Sequence, residues 1–348
     1  MSYLDGSKIR LIASGLGYPE GPVWCKDGSV LLVEIKAQCL SRIRDDGSRE
    51  VVASIPGGPN GAAIGPDGAV YICNDGGFDW QQFPPPPKPA ALWISTTQPK
   101  GYKGGTLQKV DLENRVVADL FTATSTPPCF PPFPYLPKSW EPPVVLRGPD
   151  DLVFDKDGGC WFTDWGKQRA FDRDVTGVYY MSPGGSAMRQ AIFPLNAPNG
   201  IALSPDGDWL YVALSYERRV LKYEVGPGGT FKPNPRTLDG SYLVTGDFRG
   251  SSVLDSMAVD QEGNLYVATM VPTGADPTVN GGITVVSPEG RILDWIEIRL
   301  PDGSPVPLPS NICFGGPDMK TAYITCGGSG QLVSMPAQVP GLRLNYNC

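Results

Sequence analysis

The chain has 348 residues, 41% of them hydrophobic, a formal net charge of −7 and not one histidine. The acidic balance, with a pI near 4.8, excludes the electrostatic footprint of a nucleic-acid binder. The lack of imidazole removes zinc and copper sites of the usual kind and leaves a carboxylate or a metal-bound water as general base near neutral pH.

No apolar run reaches the length of a membrane span. The opening Met1-Ser2-Tyr3-Leu4-Asp5-Gly6-Ser7-Lys8 has no apolar stretch of the signal-peptide kind. A soluble, cytoplasmic protein is expected, with neither nucleic acid nor membrane as partner.

In chain order, Ile9 to Ala13 is a β-like segment that precedes a phrase repeated along the whole sequence. The first copy is Tyr18-Pro19-Glu20-Gly21-Pro22-Val23-Trp24, and seven residues after Glu20 comes the turn Asp27-Gly28. At the same offset Asn60 leads to Asp67-Gly68, Asp150 to Asp157-Gly158, Asn199 to Asp206-Gly207, Asp255 to Glu262-Gly263 and Asn311 to Asp318-Met319. Each unit reads as strand, tight turn, strand. The acidic residues inside the turns are expected to be turn formers only.

The anchors are 40, 90, 49, 56 and 56 residues apart, a spacing that suits the four-stranded blades of a propeller. A single six-bladed all-β propeller over residues 1–348 is predicted, with the strand at Ile9 to Ala13 completing the blade begun by Asn311. The 43 glycines and 37 prolines then fall mostly at blade turns rather than in disordered sequence.

The 90-residue gap is explained by two proline-rich insertions, at about 74–89 and 122–148. Strands resume between them at Leu92-Trp93-Ile94. Propeller topology puts both insertions on the face that carries the anchors, where they are expected to form a lid. It also places Trp165, Tyr216, Met270 and either Phe78 or Trp80 over the channel mouth as candidate substrate contacts. Asp164 is a further candidate, either reaching the channel or bonding the backbone of its own blade.

Eight cysteines without a paired CxxC spacing argue against a thiolate metal site. They are expected to be free buried thiols, with a Cys25–Cys39 pair as the alternative.

Because the first strand of each blade lines the channel, six oxygen-bearing anchors should converge near the axis. Carboxylates and carboxamides gathered there call for a compensating cation, and all-oxygen donors select Ca²⁺ first, then Mg²⁺ or Mn²⁺, with Zn²⁺ behind them.

Three of the phrases, those around Glu20, Asn199 and Asp255, resemble the metal-site phrases of the senescence marker protein (regucalcin) and gluconolactonase family. The resemblance spans nearly all of the chain outside the proline-rich insertions. It implies that Glu20, Asn199 and Asp255 hold a divalent metal. Asp150 stands where that family usually has an Asn, in Pro149-Asp150-Asp151, and the extra charge makes it a further ligand or a base. Asn60 and Asn311 complete the ring, Asn60 as a candidate substrate contact.

The expected function is a metal-dependent lactonase. A metal-activated water attacks a lactone or ester carbonyl, and Asp255 or Asp150 takes the proton. The same scaffold resembles diisopropylfluorophosphatase, so a phosphotriester hydrolase is the alternative enzyme, with a strictosidine-synthase-like or isomerising propeller behind it and a protein-binding scaffold as the non-enzymatic reading. The aromatic insertions suggest a substrate bulkier or less polar than a sugar lactone.

Overall fold

The computed structural model describes residues 2–83, 92–126, 143–237, 240–271, 281–300, 302–306 and 308–347. The chain folds as a six-bladed β-propeller. Blade one consists of Pro19–Trp24, Val30–Glu34, Cys39–Ile43 and Arg49–Ser54, and blade three of Pro149–Phe154, Cys160–Asp164, Thr176–Met181 and Met188–Leu195. Blades two, four and five open at Pro59–Ile64, Pro198–Leu203 and Val253–Val259. Blade six comprises Pro309–Gly315, Thr321–Cys326 and Gln331–Pro336, and its outer strand is the N-terminal Arg10–Ser14, paired antiparallel to Gln331–Pro336. That pairing closes the ring as the sequence predicts.

The repeat works because each copy builds the same turn. Gly28, Gly68, Gly158, Gly207 and Gly263 all adopt a left-handed φ, and Met319 takes the same region at φ 60°, where a glycine would be unstrained. Side-chain caps hold these turns, but not always from the expected residue. Asp27, Asp67 and Asp206 accept backbone N–H groups within their turns. In blades three and five that work falls to Asp155 and Asp260, two residues before Asp157 and Glu262.

The six inner strands pack in cyclic order, each against its two neighbours, and Pro309–Gly315 returns to Pro19–Trp24. Such a tight ring needs small residues next to the anchors. A Cβ on Gly61 would lie 2.3 Å from the Asp150 carbonyl oxygen and 2.7 Å from the Asp151 Cα, and one on Gly200 would lie 2.7 Å from the Asp255 carbonyl oxygen. Gly61→Ala is therefore expected to cost roughly 1 to 3 kcal/mol by overpacking and to lower the melting temperature by several degrees. An unchanged thermal transition would count against this close approach.

Blade two departs from the expected plan. Leu92–Ser95 does not enter the blade; it pairs with Trp80–Phe83 as a separate hairpin, and the third blade strand is Thr106–Val110. The hairpin is held over blades six and one, with the Trp93 N–H on the Gly328 carbonyl at 2.8 Å and the Lys36 ammonium 3.9 Å from the Trp93 ring. Of the two insertions predicted to form a lid, residues 84–89 and 127–142 lie outside the described residues.

Cys39 is a free thiol beside Glu34, Ser41 and Arg49, so the Cys25–Cys39 pair is not formed. Cys25 is nevertheless disulfide-bonded, against the expectation that all thiols are free. Among the described residues no helix is long and apolar enough to cross a membrane.

Candidate active site

Each inner strand breaks register as it enters the channel, and all but the blade-five strand Val253–Val259 open on a proline. The shifts fall between Glu20 and Val23, Pro59 and Ala62, Pro149 and Leu152, Pro198 and Ile201, Leu254 and Met257, and Pro309 and Asn311. A bulge of this kind turns a strand residue out of the pleat. Repeated six times, it aims Glu20, Asn60, Asp150, Asn199, Asp255 and Asn311 toward one another.

Around the ring, acids and carboxamides alternate. Two of the carboxamides donate to the acid of the next blade, Asn60 Nδ2 to Asp150 Oδ2 at 3.1 Å and Asn311 Nδ2 to Glu20 Oε2 at 2.9 Å, and the Asn199 carboxamide stabilises the ionised Asp255 from the corresponding position. The three Asn–acid pairs follow one another in the same rotational sense. The ring thus has an approximate threefold pattern laid over its six blades.

The three acids are poorly compensated. Glu20 and Asp150 are buried and Asp255 is partly so. Among the described residues no Lys or Arg forms an ion pair with any of them. Burial raises the Glu20 carboxyl to about 7 against the pull of its Asn311 bond. Burial, then the charges of Asp255 and Glu20, push Asp150 well above the usual carboxylate range; burial, then Glu20, do the same to Asp255. Beneath them Asp151, bonded to the Leu152 and Ile201 N–H groups, is raised to about 7, again mainly by burial.

Among the described residues no group of three or more His, Cys, Asp or Glu is placed to hold a metal ion, and the three ring acids Glu20, Asp150 and Asp255 do not form such a group. The ring instead mixes acids with carboxamides, and its donors are all oxygen. Glu20, Asn199, Asp255 and Asp150 fit a hard divalent cation in donor type, and the uncompensated charge among them is what such an ion would neutralise.

A second layer lies outside the ring on the blade-two side. Asp75 Oδ2 accepts from Asn60 Nδ2 at 3.3 Å, and Asp75 Oδ1 accepts from the Gly77 N–H at 2.6 Å and from Lys167 Nζ at 3.0 Å. Lys167 is fully buried, and its ammonium sits 3.7 Å from the centre of the Phe78 ring.

Above the ring, aromatic side chains form a continuous arc. Tyr18 packs on Trp80 with centroids 5.0 Å apart, Trp80 on Phe78 at 6.1 Å, Phe78 on Trp165 at 6.1 Å and Trp165 on Tyr216 at 5.9 Å. Both Phe78 and Trp80 belong to it. Trp165 donates to the Ser215 hydroxyl at 3.1 Å, and the Arg173 guanidinium lies 4.5 Å from its ring. Tyr18 is buried at a left-handed φ of 61°, a strained setting for a bulky residue. Its phenol is pushed up by burial and then by the charges of Asp255 and Glu20.

Met270 ends its strand opposite Val253, at the same end of blade five as Asp255. Asp164 is placed differently from a substrate contact. One of its oxygens accepts the Gly148 and Gly166 N–H groups and the other the Arg147 N–H, at 2.7 to 2.9 Å, so it braces the backbone around the mouth.

Below the ring a cavity of about 550 Å³ is walled by small and apolar residues such as Val23, Ala62, Leu152 and Ile201 and by charged ones such as Asp155, Lys156, Asp206 and Arg343. The C-terminal segment crosses its far end, where Asn345 Nδ2 donates to the Phe154 carbonyl at 2.9 Å. This cavity lies on the opposite side of the ring from the aromatic arc.

Residues 18–328 match the family model for the SMP-30/gluconolactonase/LRE-like region, and the chain belongs to that family. It is 26% identical over 331 residues to a gluconolactonase of Zymomonas mobilis, which covers 88% of this chain and 76% of that protein. Among solved structures it is similar in fold to a gluconolactonase from Xanthomonas campestris, with a TM-score of 0.65 and 18% identity over 94% of this chain and 89% of the other. It is also similar to a calcium-binding regucalcin from Agrobacterium tumefaciens, with a TM-score of 0.61 and 13% identity over 99% and 98% of the two chains.

Proposed function

We propose that the protein is a lactonase that opens a cyclic ester of a small molecule with the help of a divalent cation, Ca²⁺ before Mg²⁺ or Mn²⁺. The observation that carries this reading is the alternating ring of three acids and three carboxamides, found in a chain whose family includes gluconolactonases. Glu20, Asn199 and Asp255 would hold the ion, joined by Asp150. When bound, it would act as a Lewis acid toward the ester carbonyl.

The remaining chemistry is assigned to the protein's own groups. Asp255 or Asp150 takes the proton from the attacking water; burial and the neighbouring ring charges raise both carboxyls well above the usual carboxylate range, which makes each a stronger base than a surface acid. Trp165 and Tyr216 flank the lactone ring at the mouth, with Met270 beside them, and Asn60 contributes from the ring itself. The aromatic arc favours a substrate with a broad apolar face over a small polyhydroxylated one.

The deciding experiment is a panel of aldonolactones, hydrophobic lactones and an organophosphate triester, assayed before and after treatment with a chelator. Turnover of at least one lactone, lost with chelator and restored by Ca²⁺, is the expected result. Turnover of no lactone would overturn the proposal, and selective turnover of the phosphotriester would replace it with the alternative hydrolase.

A further inference from the structure

The three ring carboxamides are tethered in different ways. Asn311 Oδ1 accepts from the Ile312 N–H at 2.7 Å, and Asn199 Oδ1 accepts from the Ser256 hydroxyl at 3.4 Å. Asn60 is held by its nitrogen, which lies between Asp150 Oδ2 at 3.1 Å and Asp75 Oδ2 at 3.3 Å. Facing two carboxylate oxygens in their ionised form, the carboxamide presents its NH₂ end and donates to both.

Asp75 can serve as that second acceptor because Lys167 offsets part of the burial cost that raises its carboxyl. The Lys167 ammonium donates to Asp75 Oδ1 at 3.0 Å and to the Gly77 carbonyl at 2.8 Å, and the side-chain exposures of Lys167 and Asp75 are 0% and 2%. The lysine belongs to the loop after the blade-three strand Cys160–Asp164, whereas Asp75 follows the blade-two strand Val70–Asn74. A buried ion pair adds little net stability compared with apolar packing. This one spans two blades and ends on a residue of the ring.

We infer that Lys167 and Asp75 are positioning residues: the pair fixes the direction of the Asn60 carboxamide and through it holds Asp150 in the channel. This rests on the lactonase reading for its effect on turnover, but not for the tether itself. Without the lysine, Asp75 would take up a proton in its dry setting and offer a donor to Asn60. The carboxamide would then turn over and present its carbonyl oxygen to Asp150, and the hydrogen bond between them would be lost.

Asp75→Asn tests the tether at constant volume. An Asn at this position keeps one oxygen for Lys167 and the Gly77 N–H but sets an NH₂ against the NH₂ of Asn60, which forces the turnover. The expected kinetic result is a fall in kcat of about 10- to 100-fold, with KM changed less than twofold. A double-mutant cycle with Asn60→Ala separates positioning from general support of the fold. If Asp75 acts through Asn60, the double variant is no slower than Asn60→Ala alone.

The readout that needs no activity is the Asn60 side-chain amide pair in a ¹H–¹⁵N spectrum, identified by its absence in Asn60→Ala. These protons should exchange slowly in the wild type and quickly in Asp75→Asn. Should that variant fail to fold with its lysine uncompensated, Lys167→Met/Asp75→Asn removes both charges and is expected to give the same results.

An unaltered kcat, losses that multiply in the double variant, or an unaltered Asn60 amide would each overturn the inference. A wild type that hydrolyses no lactone would instead refute the proposed function, and the amide exchange would still judge the tether.

Discussion

Asp255→Asn is expected to lower kcat/KM for the best lactone by on the order of 10³-fold and, in the absence of a divalent cation, to raise the melting temperature. The two effects have one cause. Asp255 is an acid in a ring that also holds Glu20 and Asp150, and its carboxyl is displaced far upward, first by burial and then by Glu20. A carboxamide of the same size keeps an oxygen for the Asn199 amide but carries no charge, so the ion-free fold loses a repulsion.

The same change removes the proposed ligand and base. Stabilisation by added Ca²⁺, which grows as ligand concentration exceeds Kd, should shrink accordingly. Thermal melts with and without Ca²⁺, run beside the lactone assay, check both halves. A variant within tenfold of wild-type activity would remove Asp255 from the chemistry.

Much of this ring is legible in the sequence because every blade rebuilds it with the same local grammar. The fixed seven-residue step from anchor to turn reflects one strand and one tight turn, and even the alternation Glu20, Asn60, Asp150, Asn199, Asp255, Asn311 can be read by eye. The direction of the hydrogen bonds cannot, since it depends on the bulges at the anchors.

Lys167 and Asp75 fall outside the repeat. In Trp165-Gly166-Lys167-Gln168-Arg169 the lysine looks like any solvated loop cation, and Asp75-Gly76-Gly77 reads as a turn. Only the approach of two loops from different blades makes them partners. Asp164 illustrates the converse: its place at a strand end suggests the channel, yet three nearby N–H groups claim its oxygens. The Trp80–Phe83 and Leu92–Ser95 hairpin is not legible in the sequence because strands of four residues carry no mark of which sheet they will join.

The ion-free protein should lose stability as pH rises from about 5 to about 8, opposite to the trend for a protein stabilised by surface salt bridges. Burial is the largest cause that raises Glu20 to about 7, Asp151 to about 7 and Asp164 to about 6. Between the unfolded value near 4 and these folded values, the native state binds more protons than the unfolded chain. The slope of unfolding free energy with pH is therefore negative across that window. The contribution is fully present below about pH 4 and gone once pH passes about 7; for Glu20 alone it is on the order of 3 kcal/mol.

Surface carboxylates work the other way. Asp27, held down mainly by its bonds to Ser29, and Glu50, held down by Arg44 and Arg115, add stability that is lost only as pH falls through their lowered values. Their window lies below about pH 4, so the two trends do not overlap. A divalent cation competes with protons for the ring, and the rise in melting temperature on adding Ca²⁺ should therefore be small near pH 5 and several degrees near pH 8. Melting curves across this range, with chelator or with Ca²⁺, measure both slopes. An ion-free melting temperature that stays level or climbs with pH would show that the ring acids are compensated within the protein, and the case for a cation among Glu20, Asp150, Asn199 and Asp255 would fail with it.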